Sequence, residues 1–233
     1  MMLYLDNCYL REFDAIVKDI NHRFVVLDQT AFYPNSGGQP HDTGRLIRVN
    51  DDKEFKVIFV KKFPNYISHE VNEVGLKRGD KIRGIIDFDR RYKLMRNHTA
   101  AHILSATFYK EASALITGNQ LGIEKSRIDF SLEKFDRNLI EECFEKANEI
   151  VKNALPVKIY YITRDEALKM GEITKLAKGL PNLDKIRIVE IEGFDKQADG
   201  GTHVRNTKEV GEIELIKCEN KGKNNRRIYF RLK

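Results

Sequence analysis

The sequence has no long apolar run: hydrophobic residues make up 41% of its 233 residues, and every apolar stretch is short, which argues against a membrane-spanning helix. Cysteine is scarce. Cys8, Cys143 and Cys218 lie far apart and form no CxxC pair, which excludes a disulfide scaffold and a four-thiolate zinc site and leaves reduced thiols in or near the core. There is no internal repeat and no low-complexity segment. The amino terminus reaches an acid at Asp6 before any apolar stretch could form, so no secretory signal is expected and a cytosolic (cytoplasmic) protein is. Charge of one sign is not in large excess either: 41 Lys and Arg against 35 Asp and Glu give 41 − 35 = +6, a mild surplus compatible with an anionic partner.

What is present suffices for a buried core in one large or two modest domains. Residues 1 to about 86 read as strands: Phe24 to Leu27, the alternating Phe55, Val57 and Phe59, and Ile82, Ile85 and Ile86, separated by turn formers at 34–38 and 77–80. A small antiparallel β-barrel-like domain over 1–86 is expected. From 87 onward the pattern changes. No Gly or Pro occurs up to about Ala114, and a long helix is expected there; a turn at Thr117-Gly118-Asn119 and a strand at Ile128-Asp129-Phe130 follow. Residues 136–154 carry apolar side chains at helical spacing, with strands expected at 156–162, 186–191, 210–216 and 228–232 and a short helix starting at Arg164. The fold class expected is α+β, the barrel-like domain followed by an α/β two-layer domain over 87–233.

His98-Thr-Ala-Ala-His102 sets two imidazoles on one helix face within reach of one ion. The glutamate of the zinc-protease motif is absent, because Thr99 stands where it would be, so that chemistry is disfavoured. Asp199-Gly-Gly-Thr-His203 offers a further carboxylate and imidazole beside Gly200 and Gly201, a glycine pair that lets backbone approach a ligand closely. Three imidazoles and a carboxylate would complete a tetrahedron around one Zn2+ per chain, either as a closed structural site or, with Asp199 outside it, as a site with a water-bearing position.

These segments, with Asn206 to Gly211 and the closing Arg226-Arg227-Ile228-Tyr229-Phe230, resemble the editing domain of alanyl-tRNA synthetase and its free-standing relatives, the AlaX editing proteins. Thr30 to Pro40 and Asp42-Thr43-Gly44 resemble that family's glycine-rich motif, which points to the medium-length type, and the resemblance spans nearly the whole chain. It implies an aminoacyl-tRNA hydrolase that removes serine or glycine wrongly joined to tRNA(Ala), acting in trans with zinc and needing no obligate protein partner and no membrane. It also implies catalytic roles for His98, His102, Thr117 and His203, with Thr117 sensing the substrate side chain, and substrate contacts at Ser36, Gly37 and Gly38. Gln120 and Asn119 could add polar contacts. One departure stands out: most of the family has Cys where this chain has Asp199, and Cys218 is a remote candidate to replace it. No GxSxG nucleophile elbow is present, which favours direct attack by water.

The last seventeen residues hold seven basic residues against Glu219 alone. Lys221, Lys223, Arg226 and Arg227 are the expected phosphate contacts, and Tyr33, Tyr229 and Phe230 are either base-stacking surfaces or core. The rival reading is a zinc-stabilised tRNA-binding module without catalytic activity.

Overall fold

The computed structural model describes residues 1–134, 136–170, 173 and 183–233. The chain divides into two compact units, Met1–Leu94 and Met95–Lys233. In the first, a 3₁₀ turn at Leu3–Leu5 precedes six strands: β1 (Glu12–Asn21), β2 (Phe24–Leu27), β3 (Gly44–Arg48), β4 (Glu54–Lys62), β5 (Ile67–Val71) and β6 (Lys81–Ile86). They close into an antiparallel barrel in the order β1-β2-β5-β4-β3-β6, with β6 pairing back onto β1. The alternation that identified the strands now has its cause: Phe13, Ala15, Val17, Val25, Leu46, Phe55, Val57 and Ile82 point inward and fill the barrel.

Between β2 and β3 runs the glycine-rich segment. Ser36 and Gln39 exchange backbone hydrogen bonds of 3.2 and 2.9 Å around Gly37 and Gly38, whose φ angles of +58° and +83° make a tight hairpin turn of the kind that favours glycine at both centres. The base of the loop is pinned by a buried ion pair. Asp42 accepts from the Tyr33 backbone N–H at 2.6 Å and from Arg91 Nε at 2.9 Å, while the same guanidinium donates to the carbonyls of Cys8 and Ala31. Tyr33 is core rather than a stacking surface.

Helix α1 (Phe88–Ala112) begins in the first unit and continues in the second, where it is buried without interruption from Asn97 to Phe108. A helix wrapped on all sides needs no apolar stripe, which is why polar residues such as Thr99, Ser105 and Thr107 sit within it. Around it are β7 (Ile116–Gln120), β8 (Ser126–Phe130), α2 (Arg137–Lys152), β9 (Val157–Thr163), α3 (Arg164–Lys169), β10 (Lys185–Ile191), β11 (Asp195–Ala198), a 3₁₀ turn (Thr207–Val210), β12 (Ile213–Asn220) and β13 (Arg226–Leu232). Two antiparallel sheets form, β11-β10-β9 and β12-β13-β8-β7. Phe108 of α1 stacks on Phe130 of β8 at 4.4 Å and meets Phe144 of α2 edge-on. The helices and sheets agree with the α+β reading.

Two local expectations are corrected, and one open choice is decided. Thr117-Gly118-Asn119 is strand, not turn: β7 pairs with β8 through a bulge between Ile116 and Gly118, and that bulge accommodates the glycine. The strand expected from Val210 starts at Ile213, because Asn206 and Glu209 close a capping box around the preceding 3₁₀ turn. Phe230 is fully buried, so it belongs to the core. No helix among the described residues is long and apolar enough to cross a membrane.

Candidate metal centre

His98 and His102 stand one turn apart on α1, their ring centroids 5.2 Å from each other. The loop after β11 brings the other two donors to them. Asn206 anchors that loop, its amide donating to the Ala154 carbonyl at 2.7 Å, and Thr207 ties it to the end of α2 through Ile150. His203 thereby lies with its ring 4.4 Å from that of His98 and 4.5 Å from that of His102. Asp199, at the end of β11, completes the group: its carboxylate is 3.6 Å from His98 Nε2, 4.0 Å from His102 Nε2 and 3.0 Å from His203 Nε2. One ligand atom from each of these four residues lies within 4.8 Å of the others. Cys218 is not among them; it sits in β12 opposite Ile228.

Gly201 is what allows the closure. A Cβ there would stand 2.1 Å from His98 Cε1 and 2.3 Å from Nδ1, whereas at Gly200 it would meet nothing within 4 Å. Thr117 and Gln120 lie on β7, where the Thr117 hydroxyl stands 3.2 Å from the Asp129 carbonyl and 3.0 Å from Asn225 Oδ1, its single hydrogen able to serve one of them, and Gln120 accepts from Arg127. Ser36, Gly37 and Gly38 belong to the hairpin turn of the first unit.

The electrostatics favour a cation. Burial pushes all three imidazoles below the ordinary histidine value, His102 to about 4, against the opposing pull of the Asp199 charge. Burial alone would raise the Asp199 carboxyl, but the three imidazoles around it outweigh that and hold it well below the usual carboxylate range. Neutral nitrogens and an ionised oxygen are the protonation states in which these groups ligate a metal. His102 Nδ1 is buried without a hydrogen-bond partner, a cost that a buried polar centre must offset elsewhere.

Two residues escaped the sequence reading. Thr99 places its hydroxyl 3.1 Å from His203 Nδ1, and Arg187 of β10 donates to the Asp199 carbonyl at 2.8 Å from a buried side chain. Thr99 was visible only as the residue after His98, and Arg187 carried no signal. Of the expected phosphate contacts, Lys221 and Lys223 are exposed, but Arg226 is buried and donates to the carbonyls of Gly222, Asn225 and Glu133, while Arg227 forms a two-pronged pair with Asp129 at 2.8 Å.

Comparison with known proteins decides the family. The chain is 52% identical over 240 residues to the alanyl-tRNA editing protein AlaX-M of Methanosarcina acetivorans, covering 99% of this chain and 98% of that protein. It belongs to the AlaX-M alanyl-tRNA editing proteins. The AlaX-M of Saccharolobus solfataricus is 45% identical over 99% of this chain and 98% of its own length. An alanine–tRNA ligase of Methanococcus maripaludis is 37% identical over 89% of this chain, which corresponds to 23% of the ligase. Residues 186–229 match the second additional domain of threonyl and alanyl tRNA synthetases, and residues 6–90 match the class II (A) tRNA synthetases.

Proposed function

We propose that this AlaX-M protein is a trans-editing hydrolase that cleaves the ester joining serine or glycine to the 3′ end of tRNA(Ala), in the cytoplasm and with one zinc ion. The observation that carries the reading is the convergence of three imidazoles and a carboxylate in a chain that matches alanyl-tRNA editing proteins from end to end. The donor set fits zinc, which takes imidazole nitrogen and carboxylate oxygen in fourfold coordination, and His98, His102, Asp199 and His203 would hold it. When bound, the ion supplies Lewis-acid polarisation of an oxygen, either of the ester or of the attacking water.

The remaining work falls to the chain. Editing chemistry is assigned to residues 87–233, and contacts to the substrate also to Ser36, Gly37 and Gly38 of the glycine-rich motif in residues 1–86, as the family resemblance implies. Gly200 leaves open space in which the substrate can approach backbone, and Gly201 lets His98 keep its place. Water attacks the ester carbonyl, the bond to the ribose oxygen breaks, and the amino acid and free tRNA leave. Accepting serine while sparing alanine requires a polar partner for one hydroxyl, because that partner is left unpaired when alanine enters. Thr117 is assigned that role, with Gln120 beside it on β7 as a second polar contact. Lys221 and Lys223 supply phosphate contacts.

A deacylation assay comparing seryl-, glycyl- and alanyl-tRNA(Ala) tests this. Release of serine, with alanine spared, and loss of release in His98→Ala and His203→Ala variants that stay folded are expected. Binding of tRNA without turnover of any of the three would replace the enzyme with a binding module.

A further inference from the structure

The strands of a filled barrel turn apolar side chains inward and keep their outward positions polar. On one side of this barrel β2, β4 and the turn into β5 depart from that rule together, leaving Phe24, Phe59 and Tyr66 46%, 36% and 46% exposed. The causes are local. In β4 the register shifts between Val57 and Phe59, and this bulge turns Ile58 and Phe59 outward one after the other. Phe59 then stands across β5 from Phe24, with Glu70 between them, and the His41 ring steadies it at 4.4 Å. Pro64 and Asn65 make the turn from β4 to β5, which the Phe63 N–H closes on the Tyr66 carbonyl at 2.8 Å. The two rings flanking that turn stack on each other at 4.7 Å and 17°.

Between the two aromatic pairs runs a groove of about 640 Å³, with Val26 and Ser68 paired across its floor. Its walls are apolar and its ends are not: Asp19 and Asn21 line it from β1, and Glu70 is held by Arg23 at 3.1 Å. Lys61 sets its ammonium 5.1 Å from the Phe63 ring centre, and Lys18 and Lys62 line an adjoining hollow that shares Phe63 and Tyr66. None of these three lysines is in an ion pair among the described residues.

That combination selects an occupant. An apolar peptide or a lipid tail would bury Asp19 and Lys61 without partners. A nucleotide has a flat base with apolar faces, a hydrogen-bonding edge and an anionic linkage, which match the aromatic walls, the polar ends and the unpaired lysines in turn. The base must be unpaired, because within a duplex the faces are closed by stacking on their neighbours. We infer that the outer face of β2, β5 and β4 binds an unpaired nucleotide of RNA, the base seated among Phe24, Phe59, Phe63 and Tyr66 and the flanking phosphates at the three lysines. The inference rests on the tRNA reading above and gives that RNA a hold in the first unit, whose residues take no part in the metal centre.

A short single-stranded RNA carrying 2-aminopurine, whose fluorescence is quenched when it stacks on an aromatic ring, and a duplex of the same length are titrated with the full chain. The single strand should bind more tightly than the duplex and be quenched. Phe24→Ala with Tyr66→Ala should weaken it about 5- to 150-fold, the range for one stacked base, and remove the quenching, and Tyr66→Phe should restore what Tyr66→Ala loses. Lys61→Gln with Lys62→Gln should keep the quenching at low salt and flatten the slope of log affinity against log salt by about 1.4, at about 0.7 per phosphate of a single strand. Unchanged affinity and quenching in a folded Phe24→Ala, Tyr66→Ala chain overturns the inference, as does a duplex bound as tightly as the single strand. A wild type that binds no single strand also overturns it, and a dimer in sedimentation that Tyr66→Ala dissociates would then assign the face to a second copy. A chain that releases serine from tRNA(Ala) yet fails these titrations loses this inference alone, and one that quenches the probe without turnover loses only the hydrolase.

Discussion

The two glycines of Asp199-Gly200-Gly201-Thr202-His203 look alike in the sequence and differ completely in their surroundings. A methyl at Gly201 would stand inside van der Waals contact with the His98 ring, and one at Gly200 would project into open space. Gly201→Ala should therefore displace His98 and weaken zinc binding about 10- to 100-fold, while Gly200→Ala leaves that affinity unchanged. Chelator competition on both variants reads this directly, and equal affinities would show that the ring yields to the methyl. His69 of the barrel offers a second residue-level test. Its Nδ1 is 3.0 Å from the Val25 carbonyl, so Nδ1 carries the hydrogen, and Nε2 accepts from Thr30 at 2.9 Å. Burial drops its pKa to about 4 from the ordinary 6.5, only partly opposed by the Val25 bond. Between those two values the unfolded chain holds a proton that the folded one lacks, so stability falls as pH is lowered from 6.5 toward 4, by up to about 1.4 kcal/mol per pH unit. The buried imidazoles of the metal centre act in the same direction. His69→Gln, which keeps one donor and one acceptor without a titrating group, should lose correspondingly less stability over that window in urea titrations; parallel curves would remove His69 from the account.

At the scale of elements, the glycine-rich loop depends on the buried pair of Asp42 and Arg91, both wholly inaccessible to solvent. Removing one partner strands the other charge in the core, so Asp42→Asn or Arg91→Met should cost about 3–5 kcal/mol, whereas Asp42→Asn with Arg91→Met together should cost less than the sum. Equilibrium denaturation of the three variants gives the coupling, and strict additivity would mean that the pair does not act as one. Neither residue announced this in the sequence, where Asp42 stood out only as part of the glycine-rich motif and Arg91 carried no signal of its own. The barrel and α1 were legible because their causes are local: inward alternation in Phe55, Val57 and β6, and an uninterrupted stretch without Gly or Pro. β7 was misread because Thr-Gly-Asn carries turn chemistry and its strand state comes from pairing with β8. β11, the strand that delivers Asp199, was missed for the same reason. Asp195-Lys-Gln-Ala198 has no apolar alternation, and only its ladder with β10 makes it a strand. The metal group was legible as two spaced pairs, but their convergence depends on the capping box at Asn206 and the steric opening at Gly201, which are properties of the folded chain.

For the whole molecule, the surplus of +6 overstates what is free to meet an anion. In the β12–β13 hairpin, Lys217 and Lys221 face Glu219, Arg231 faces Glu214 and Lys233 faces Glu212, at 2.5 to 3.1 Å. Arg226 is a structural donor inside the turn, so its charge is committed to carbonyls. Lys223 has no acidic partner among the described residues, and exposed pairs such as Lys221 with Glu219 are worth so little that a phosphate can replace the carboxylate. With Lys221 and Lys223 as the assigned phosphate contacts, the electrostatic contribution of this hairpin to tRNA binding should be about two contacts rather than seven. Each phosphate contact contributes roughly 0.7 to 0.9 to the slope of log affinity against log salt, so Lys221→Gln with Lys223→Gln should flatten that slope by about 1.5. Turnover at saturating tRNA should be unaffected, because neither ammonium group belongs to the metal centre. Fluorescence titrations of wild type and the double variant between low and physiological salt measure it. Parallel slopes would place the phosphate contacts on another face, and a loss far beyond two contacts would show that the paired lysines and arginines exchange their carboxylates for phosphate as well.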